Sequence, residues 1–212
     1  MVLRALSNPN PLAVRIRVLS AENAPACLVD TEGIILFVNE AWERAAREEA
    51  GGAGCMTEAL VGKLWFDQIS GEDPRREHEA LFEQALLRRG GGPVGHVVQV
   101  SENNSPSTAR LIATHFEPIV SPSREVLGMV ITHRLVRERP MSDVYVVVSR
   151  PESEYRREDG KIRQCSCCRR TLRADGTEEW EFVPDLLARP IGATEYLFCP
   201  LCRDLHYPLP EE

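Results

Sequence analysis

The stretch that decides the fold is VDTEGIILFVNEAWERAARE, residues 29–48. Two apolar runs flank an acidic turn at 30–33, in which Gly33 can adopt the positive φ that a tight hairpin turn requires. Asn39 follows the second run and is expected to cap a helix, because its short side chain accepts a hydrogen bond from an unpaired N–H of the first turn. One face of that helix is small and apolar, with Ala41, Trp42, Ala45 and Ala46. The stretch therefore predicts strand, turn, strand and helix.

Further elements follow in a simple order. A short helical segment at 58–69 is interrupted by Gly62, and a longer one at 74–89 carries a proline in its first turn and ends at a glycine run. Three apolar runs of strand type come next, separated by turn-rich segments, at 95–101, 109–120 and 126–136. The order of elements is thus two strands, several short helices and three strands.

This order, with the detail of the opening stretch, resembles a PAS domain over residues 26–138. LVGKLWFDQI (60–69) is similar to the segment that follows the first helix of such domains, and EVLGMVITHRLVRE (125–138) to their last strand. The resemblance implies an α+β fold, a five-stranded antiparallel sheet with short helices on one face, and a sensing or dimerising role. The fold does not identify a ligand.

Several residues are candidates for a cofactor site in the PAS-like region. His78 resembles the position on the long helix from which oxygen-sensing PAS domains bind haem iron, although a histidine between two glutamates is more often a solvated residue. Cys55 lies in a glycine-rich loop without the Asn-Cys-Arg pattern of photoreactive flavin domains, and Cys27 is expected to be a small core residue. His115 and His133 lie on neighbouring strand-like runs, where a metal site is the less common outcome.

Five of the seven cysteines are clustered near the C-terminus. Cys165 and Cys168 form one C-x-x-C pair, and Cys199 and Cys202 form another after 30 intervening residues. Two such pairs facing each other supply the four thiolates that a structural Zn²⁺ accepts. Cys167 is expected to be a free thiol, because C-S-C spacing is too tight for a usual metal-binding turn. A redox dithiol is the alternative, but a redox motif gains nothing from a second pair.

The same segment resembles a cysteine-rich tail that follows PAS or receiver domains in bacterial signalling proteins. The residues that match its pattern are Cys165, Cys168, Trp180, Cys199, Pro200, Cys202, Tyr207 and Pro208. The tail usually carries Ser-His-Gly before its second cysteine pair, whereas this chain has Tyr-Leu-Phe at 196–198. That departure removes a histidine able to act as a ligand and favours a pure cysteine set.

Composition and charge limit the remaining possibilities. The chain has 212 residues and a net charge of −7, and no run approaches the roughly 20 apolar residues needed to cross a bilayer. The N-terminus lacks an apolar core of signal-peptide length, so we expect a cytoplasmic protein with reduced cysteines. From Arg150 onward there are 10 Lys/Arg against 13 Asp/Glu, which disfavours nucleic acid as a partner.

These patterns predict an N-terminal segment (1–25), a PAS-like sensor domain (26–138), a linker with a short strand (139–160) and a zinc-binding unit (161–212). No enzyme motif is found, so we expect a signalling protein, not an enzyme, whose zinc unit presents a protein-binding surface. The alternatives are a nucleic-acid-binding regulator and a haem-based gas or redox sensor. A homodimer is expected through the N-terminal segment, in which Leu12, Val14, Ile16 and Val18 alternate. The apolar run at 144–148 is expected to dock as a strand or extended segment on a folded domain.

Overall fold

The computed structural model describes residues 10–48, 56–87, 96–187 and 193–206. The glycine runs predicted to end two helices, at 51–54 and 90–92, lie outside these residues, as does Cys55. The sequence-based division into a sensor domain, a linker and a zinc-binding unit stays a prediction.

The chain forms two compact units. Unit 1 comprises Met1–Trp65, Gln84–Val97 and Phe116–Thr132. Unit 2 comprises Phe66–Glu83, Val98–His115 and His133–Glu212. The two cysteine pairs and the residues that contact them all belong to unit 2.

Five strands form a sheet in the order β2-β1-β5-β4-β3, as expected for the predicted α+β fold. The strands are β1 (Ala26–Val29), β2 (Ile35–Val38), β3 (Val97–Glu102), β4 (Thr108–Val120) and β5 (Val126–Pro140). The first two pair antiparallel across the predicted turn, where Gly33 has a φ of 87°. β1 also pairs antiparallel with β5, and all four residues of β1 are buried. Its unbroken apolar sequence is therefore explained by its central position in the sheet.

Four helices accompany this sheet in the sequence. They are α1 (Pro11–Ser20), α2 (Glu40–Glu48), α3 (Thr57–Leu60) and α4 (Glu72–Leu87), with a 3-10 turn at Trp65–Gln68 before α4. Gly62 has a φ of 85° just after α3, which explains why the predicted segment at 58–69 is interrupted there. No helix in the described part of the chain is both long and apolar enough to span a bilayer.

Asn39 organises unit 1 in addition to capping α2. Its Oδ1 accepts from the Trp42 N–H at 2.9 Å, as the sequence predicts, and also from the Ala26 N–H at 3.0 Å. Its Nδ2 donates to the carbonyl oxygen of Leu19 in α1 and to two carbonyl oxygens of the segment after α1, including that of Ala24 at 2.9 Å. One buried side chain thus ties α1, β1 and α2 together.

A second, four-stranded sheet lies in the C-terminal part of unit 2, in the order β8-β7-β6-β9. Its strands are β6 (Ile162–Cys165), β7 (Thr171–Leu172), β8 (Trp180–Glu181) and β9 (Thr194–Leu197). Two short helices complete it, α5 (Pro184–Leu187) and α6 (Pro200–His206). β6 and β7 pair antiparallel, whereas β6 and β9 pair in parallel.

The end of the apolar run at 144–148 contacts this second sheet, after a turn at Val144. Val147 forms an isolated bridge with Phe182, and the Val148 N–H donates to the Phe182 carbonyl at 3.0 Å. Tyr145 stacks on the Phe182 ring with centroids 5.8 Å apart. The predicted docking is therefore found at Val147 and Val148 only, because Val144 has an αR conformation and Val146 is 84% exposed.

Candidate metal centre

The parallel pairing of β6 and β9 brings the two cysteine pairs to the same end of the second sheet. Cys165 is the last residue of β6 and lies opposite Leu197 in the register. Cys199 follows two residues later, and Cys202 lies on α6. Since parallel strands end at the same edge, the first turn after β6 and the first turn after β9 must face each other.

All four predicted ligand sulfurs meet in one place. The Sγ atoms of Cys165, Cys168, Cys199 and Cys202 lie within 4.8 Å of one another, and those of Cys168 and Cys199 are 3.7 Å apart. Zinc–sulfur bonds of about 2.3 Å in a tetrahedron place neighbouring sulfurs about 3.8 Å apart, so the cluster has the size that a four-thiolate metal site needs. All four residues are buried, and the described cysteines are free thiols.

Four thiols this close cannot all ionise without a cation. Neighbouring thiols, those of Cys167 and Cys168 first, donate to Cys165 and hold its pKa far below the usual range. The hydrogen bond to Cys165 in turn raises the pKa of Cys168 and of Cys202. A divalent cation removes this conflict, because it compensates the charge of several thiolates at once.

Cys167 is buried in the same apolar cluster but is not one of the four grouped sulfurs. Hydrogen bonding to Cys165, together with burial, raises the pKa of the Cys167 thiol. A raised pKa does not distinguish Cys167 from Cys168 and Cys202, whose pKa is raised too, so the assignment of Cys167 as a free thiol stays a prediction.

A cation and an aromatic layer cover one side of the cluster. Arg170 donates from Nε to Cys168 Sγ and from Nη2 to Cys199 Sγ, each at 3.2 Å. Its guanidinium lies over the Tyr145 ring, 5.5 Å from the centroid. The Tyr145 hydroxyl donates to Glu102, and burial together with this hydrogen bond raises the pKa of Tyr145.

Two further side chains connect the cysteine turns to other parts of unit 2. Asn104 is 6% exposed, and its Nδ2 donates to the Cys168 carbonyl at 3.1 Å. Arg203, the residue after Cys202, donates to Asp73 and Glu77 of α4, each at 3.1 Å. Sequence reasoning identified neither of these residues, nor Arg170, as part of the site. The basic residues that follow the first cysteine pair were the one sequence feature that pointed to Arg170.

The histidines predicted as less probable ligands lie elsewhere in unit 2. His78 is half-buried on α4, and its Nδ1 donates to the Pro74 carbonyl at 2.8 Å. Burial lowers the pKa of His78, and the hydrogen bond to Pro74 opposes this effect. Burial, reinforced by the charges of His78 and His115, lowers the pKa of His133 to about 4. Within the described ranges these histidines do not form a compact metal-ligand group.

The strand order and the helices between β2 and β3 define an α+β domain. Residues 16–136 match the family described as the PAS fold, so the chain belongs to the PAS family. The match begins ten residues before the predicted start of the domain and therefore includes part of α1. It ends before the cysteine-rich segment, whose resemblance to a bacterial signalling tail stays a prediction.

Several solved structures are similar in fold. The PAS domain of Bordetella pertussis BvgS is 18% identical, with 60% of this chain and 88% of that chain covered and a TM-score of 0.47. The Vibrio cholerae Aer2 receptor, a dual PAS-heme oxygen sensor, is 13% identical, with 54% and 95% covered and a TM-score of 0.39. The phage VqmA–DPO complex is 17% identical, with 59% and 52% covered and a TM-score of 0.41. The chain thus spans about half the length of phage VqmA. No curated protein matches this chain.

Proposed function

We propose that this PAS protein is a cytoplasmic bacterial signal-transduction protein, without enzymatic activity, in which a sensing or dimerising PAS domain is joined to a unit held by structural zinc. The observation that carries the proposal is the group of four buried cysteine sulfurs within 4.8 Å of one another, in a chain of the PAS family. The zinc unit presents a surface to a signalling protein partner.

Zinc is the metal that fits the ligand set best. Four thiolates satisfy tetrahedral Zn²⁺ completely and leave no position for water, which is typical of a structural site and not of a hydrolytic one. One buried cluster of this unit consists of five cysteines and Phe198, so it contains few large apolar side chains. Metal binding supplies folding free energy on the order of 10 kcal/mol to such small units.

A protein partner fits the exposed surface of the zinc unit better than nucleic acid. Leu201 and Leu205 lie one turn apart on α6 and are 48% and 64% exposed. Exposed apolar side chains on one helix face favour contact with another protein. The excess of acidic residues from Arg150 onward disfavours phosphate binding, because phosphate contacts require a positive field.

Metal analysis with an absorption spectrum on freshly purified full-length protein tests the proposal. We expect one zinc per chain and no visible absorption. The variants Cys165→Ser and Cys202→Ser should lose zinc and the ordered structure of the second sheet, and Cys27→Ser, in the other unit, is the control that keeps zinc. Purified protein without metal, or variants that keep full zinc content and stability, would contradict the proposal. A Soret band that disappears in His78→Ala would instead support the haem alternative.

A further inference from the structure

The four ligands of the candidate metal centre differ in their hydrogen bonds. The Arg170 guanidinium donates to Cys168 Sγ and to Cys199 Sγ, and so to one sulfur of each cysteine pair. Backbone N–H groups contribute as well: Cys202 N donates to Cys199 Sγ at 3.4 Å, and Cys199 N donates to Cys165 Sγ at 3.5 Å. For the sulfur of Cys202, no N–H donor is found among residues 10–48, 56–87, 96–187 and 193–206.

The position of Arg170 is fixed by its surroundings. Its guanidinium lies over the Tyr145 ring, which stacks on Phe182, and the Tyr145 hydroxyl is held by Glu102. Tyr145 also packs against the cysteine cluster. A planar guanidinium on an aromatic face loses little freedom when its fork engages two acceptors. The interaction with Cys168 and Cys199 is therefore part of the folded unit and not a chance surface contact.

A hydrogen bond from a cation stabilises a thiolate and makes its electron pair less available. We propose that Arg170 protects Cys168 and Cys199, and that Cys202 is consequently the metal ligand that an electrophile modifies first. This inference rests on the proposed function, because it takes the four cysteines as ligands of a bound metal. The four ligands are then unequal in reactivity, and Cys202 is the most reactive of them.

All four ligand residues are buried, so the assignment rests on their hydrogen bonds and not on differences in exposure. With iodoacetamide as the electrophile, the electron pair of the Cys202 sulfur forms a bond to the methylene carbon, the carbon–iodine bond breaks and iodide leaves. The product is a neutral thioether, which is a weaker zinc ligand than a thiolate, so modification of Cys202 is expected to release zinc.

The test uses the zinc-loaded full-length protein with less than one equivalent of iodoacetamide. Tandem mass spectrometry locates the modified cysteine, and a colorimetric zinc indicator follows metal release. In the wild type we expect Cys202 to be labelled well before Cys168 and Cys199. Zinc should be released at the rate at which Cys202 is labelled. The free thiol Cys167 is scored separately and does not enter the comparison.

Substitution of Arg170 should remove the asymmetry. In Arg170→Gln we expect Cys168 and Cys199 to react at rates comparable to Cys202, and zinc affinity to fall by about 10- to 100-fold, as is usual when a partner of a metal ligand is lost. Arg169→Gln is the matched control, because this neighbouring arginine lies over the Tyr196 ring at 5.6 Å. It should keep the wild-type order and affinity.

Equal labelling of the four ligands in the wild type would overturn the inference, as would an unchanged order in a folded Arg170→Gln protein. If Arg170→Gln does not fold, Arg170→Lys replaces it. Lysine keeps the positive charge but cannot donate to both sulfurs in the same way, so the preference for labelling Cys202 should be smaller than in the wild type. The labelling order of the wild-type protein remains decisive. Absence of zinc from the purified protein would refute the proposed function itself. Bound zinc with unselective labelling would refute only the role of Arg170.

Discussion

Arg203 Nη1 donates to Glu77 Oε1 at 3.1 Å, so the residue that follows Cys202 contacts the residue that precedes His78 on α4. The same guanidinium donates to Asp73 and lies over the Phe198 ring, 4.8 Å from the centroid. The second cysteine pair is therefore linked directly to the long helix on which the candidate haem ligand lies. A contact of this kind couples two sites when its free energy differs between two states of the protein.

We expect Arg203→Gln to lower the free energy of unfolding by about 1 kcal/mol, because the ion pairs are partly exposed and screened by water. Urea unfolding of the zinc-loaded protein measures this change, and a double-mutant cycle with Glu77→Gln isolates the pair. The control is Arg76→Gln, whose pair with Glu72 is more exposed, at 69% and 87% of the two side chains, and should contribute almost nothing. Equal effects of the two substitutions would show that Arg203 does not anchor the pair of cysteines to α4.

The docked segment at 144–148 gives a prediction for hydrogen exchange. The Val148 amide, bonded to the Phe182 carbonyl, should exchange far more slowly than a free peptide in the zinc-loaded protein and should lose protection after chelation. Val148 also packs against a buried cluster that includes Tyr155 and Ile162, whereas Val146 is exposed. Val148→Ser should therefore destabilise the protein by about 1 kcal/mol, and Val146→Ser should be nearly neutral. A free-peptide exchange rate at Val148 would mean that the segment is only a tether.

The predicted homodimer can be tested on the outer face of α1. Leu12 and Ile16 pack against the buried cluster of unit 1, while Val14 and Val18 are 42% and 52% exposed. If the N-terminal segment mediates pairing, Val14→Glu combined with Val18→Glu should convert a dimer to a monomer without unfolding it. Sedimentation equilibrium at tens of micromolar measures the change, with Arg17→Glu as a control of similar charge change. A wild-type protein that is monomeric under these conditions would exclude the dimer.

Stability should fall as the pH is lowered from 6.5 towards 4. The pKa of His133 is lowered to about 4 in the folded protein from an ordinary value of 6.5, so the unfolded chain binds more protons in this range. For a half-buried group we expect a loss of about 1 to 2 kcal/mol at pH 5. His133→Gln should flatten the dependence in urea unfolding measured at pH 7 and pH 5, and His96→Gln, at an exposed position, should not. An unchanged pH dependence in His133→Gln would place its origin elsewhere, for instance at His78.

The sequence by itself determined the local elements, because their signals lie within a few residues of one another. The turn at Gly33, the cap at Asn39 and the order of strands and helices follow from apolar periodicity, turn residues and capping chemistry. The four cysteines that the structure brings together were likewise identified from the spacing of the two C-x-x-C pairs alone, since each pair forms its own turn. These predictions required no knowledge of which elements meet.

Only the tertiary structure decided which side chains surround those elements. Leu12, Val14, Ile16 and Val18 alternate in the sequence, but in the helix α1 they divide into a partly buried pair and an exposed pair because 3.6 residues complete a turn. The parallel pairing of β6 with β9 bridges 32 residues between Arg163 and Glu195, and the contact of Arg203 with Glu77 bridges 126. Arg170 reaches Cys199 across 29 residues in the same way. Contacts between residues so far apart depend on how the sheets and helices pack, and a single sequence carries no local pattern that specifies them.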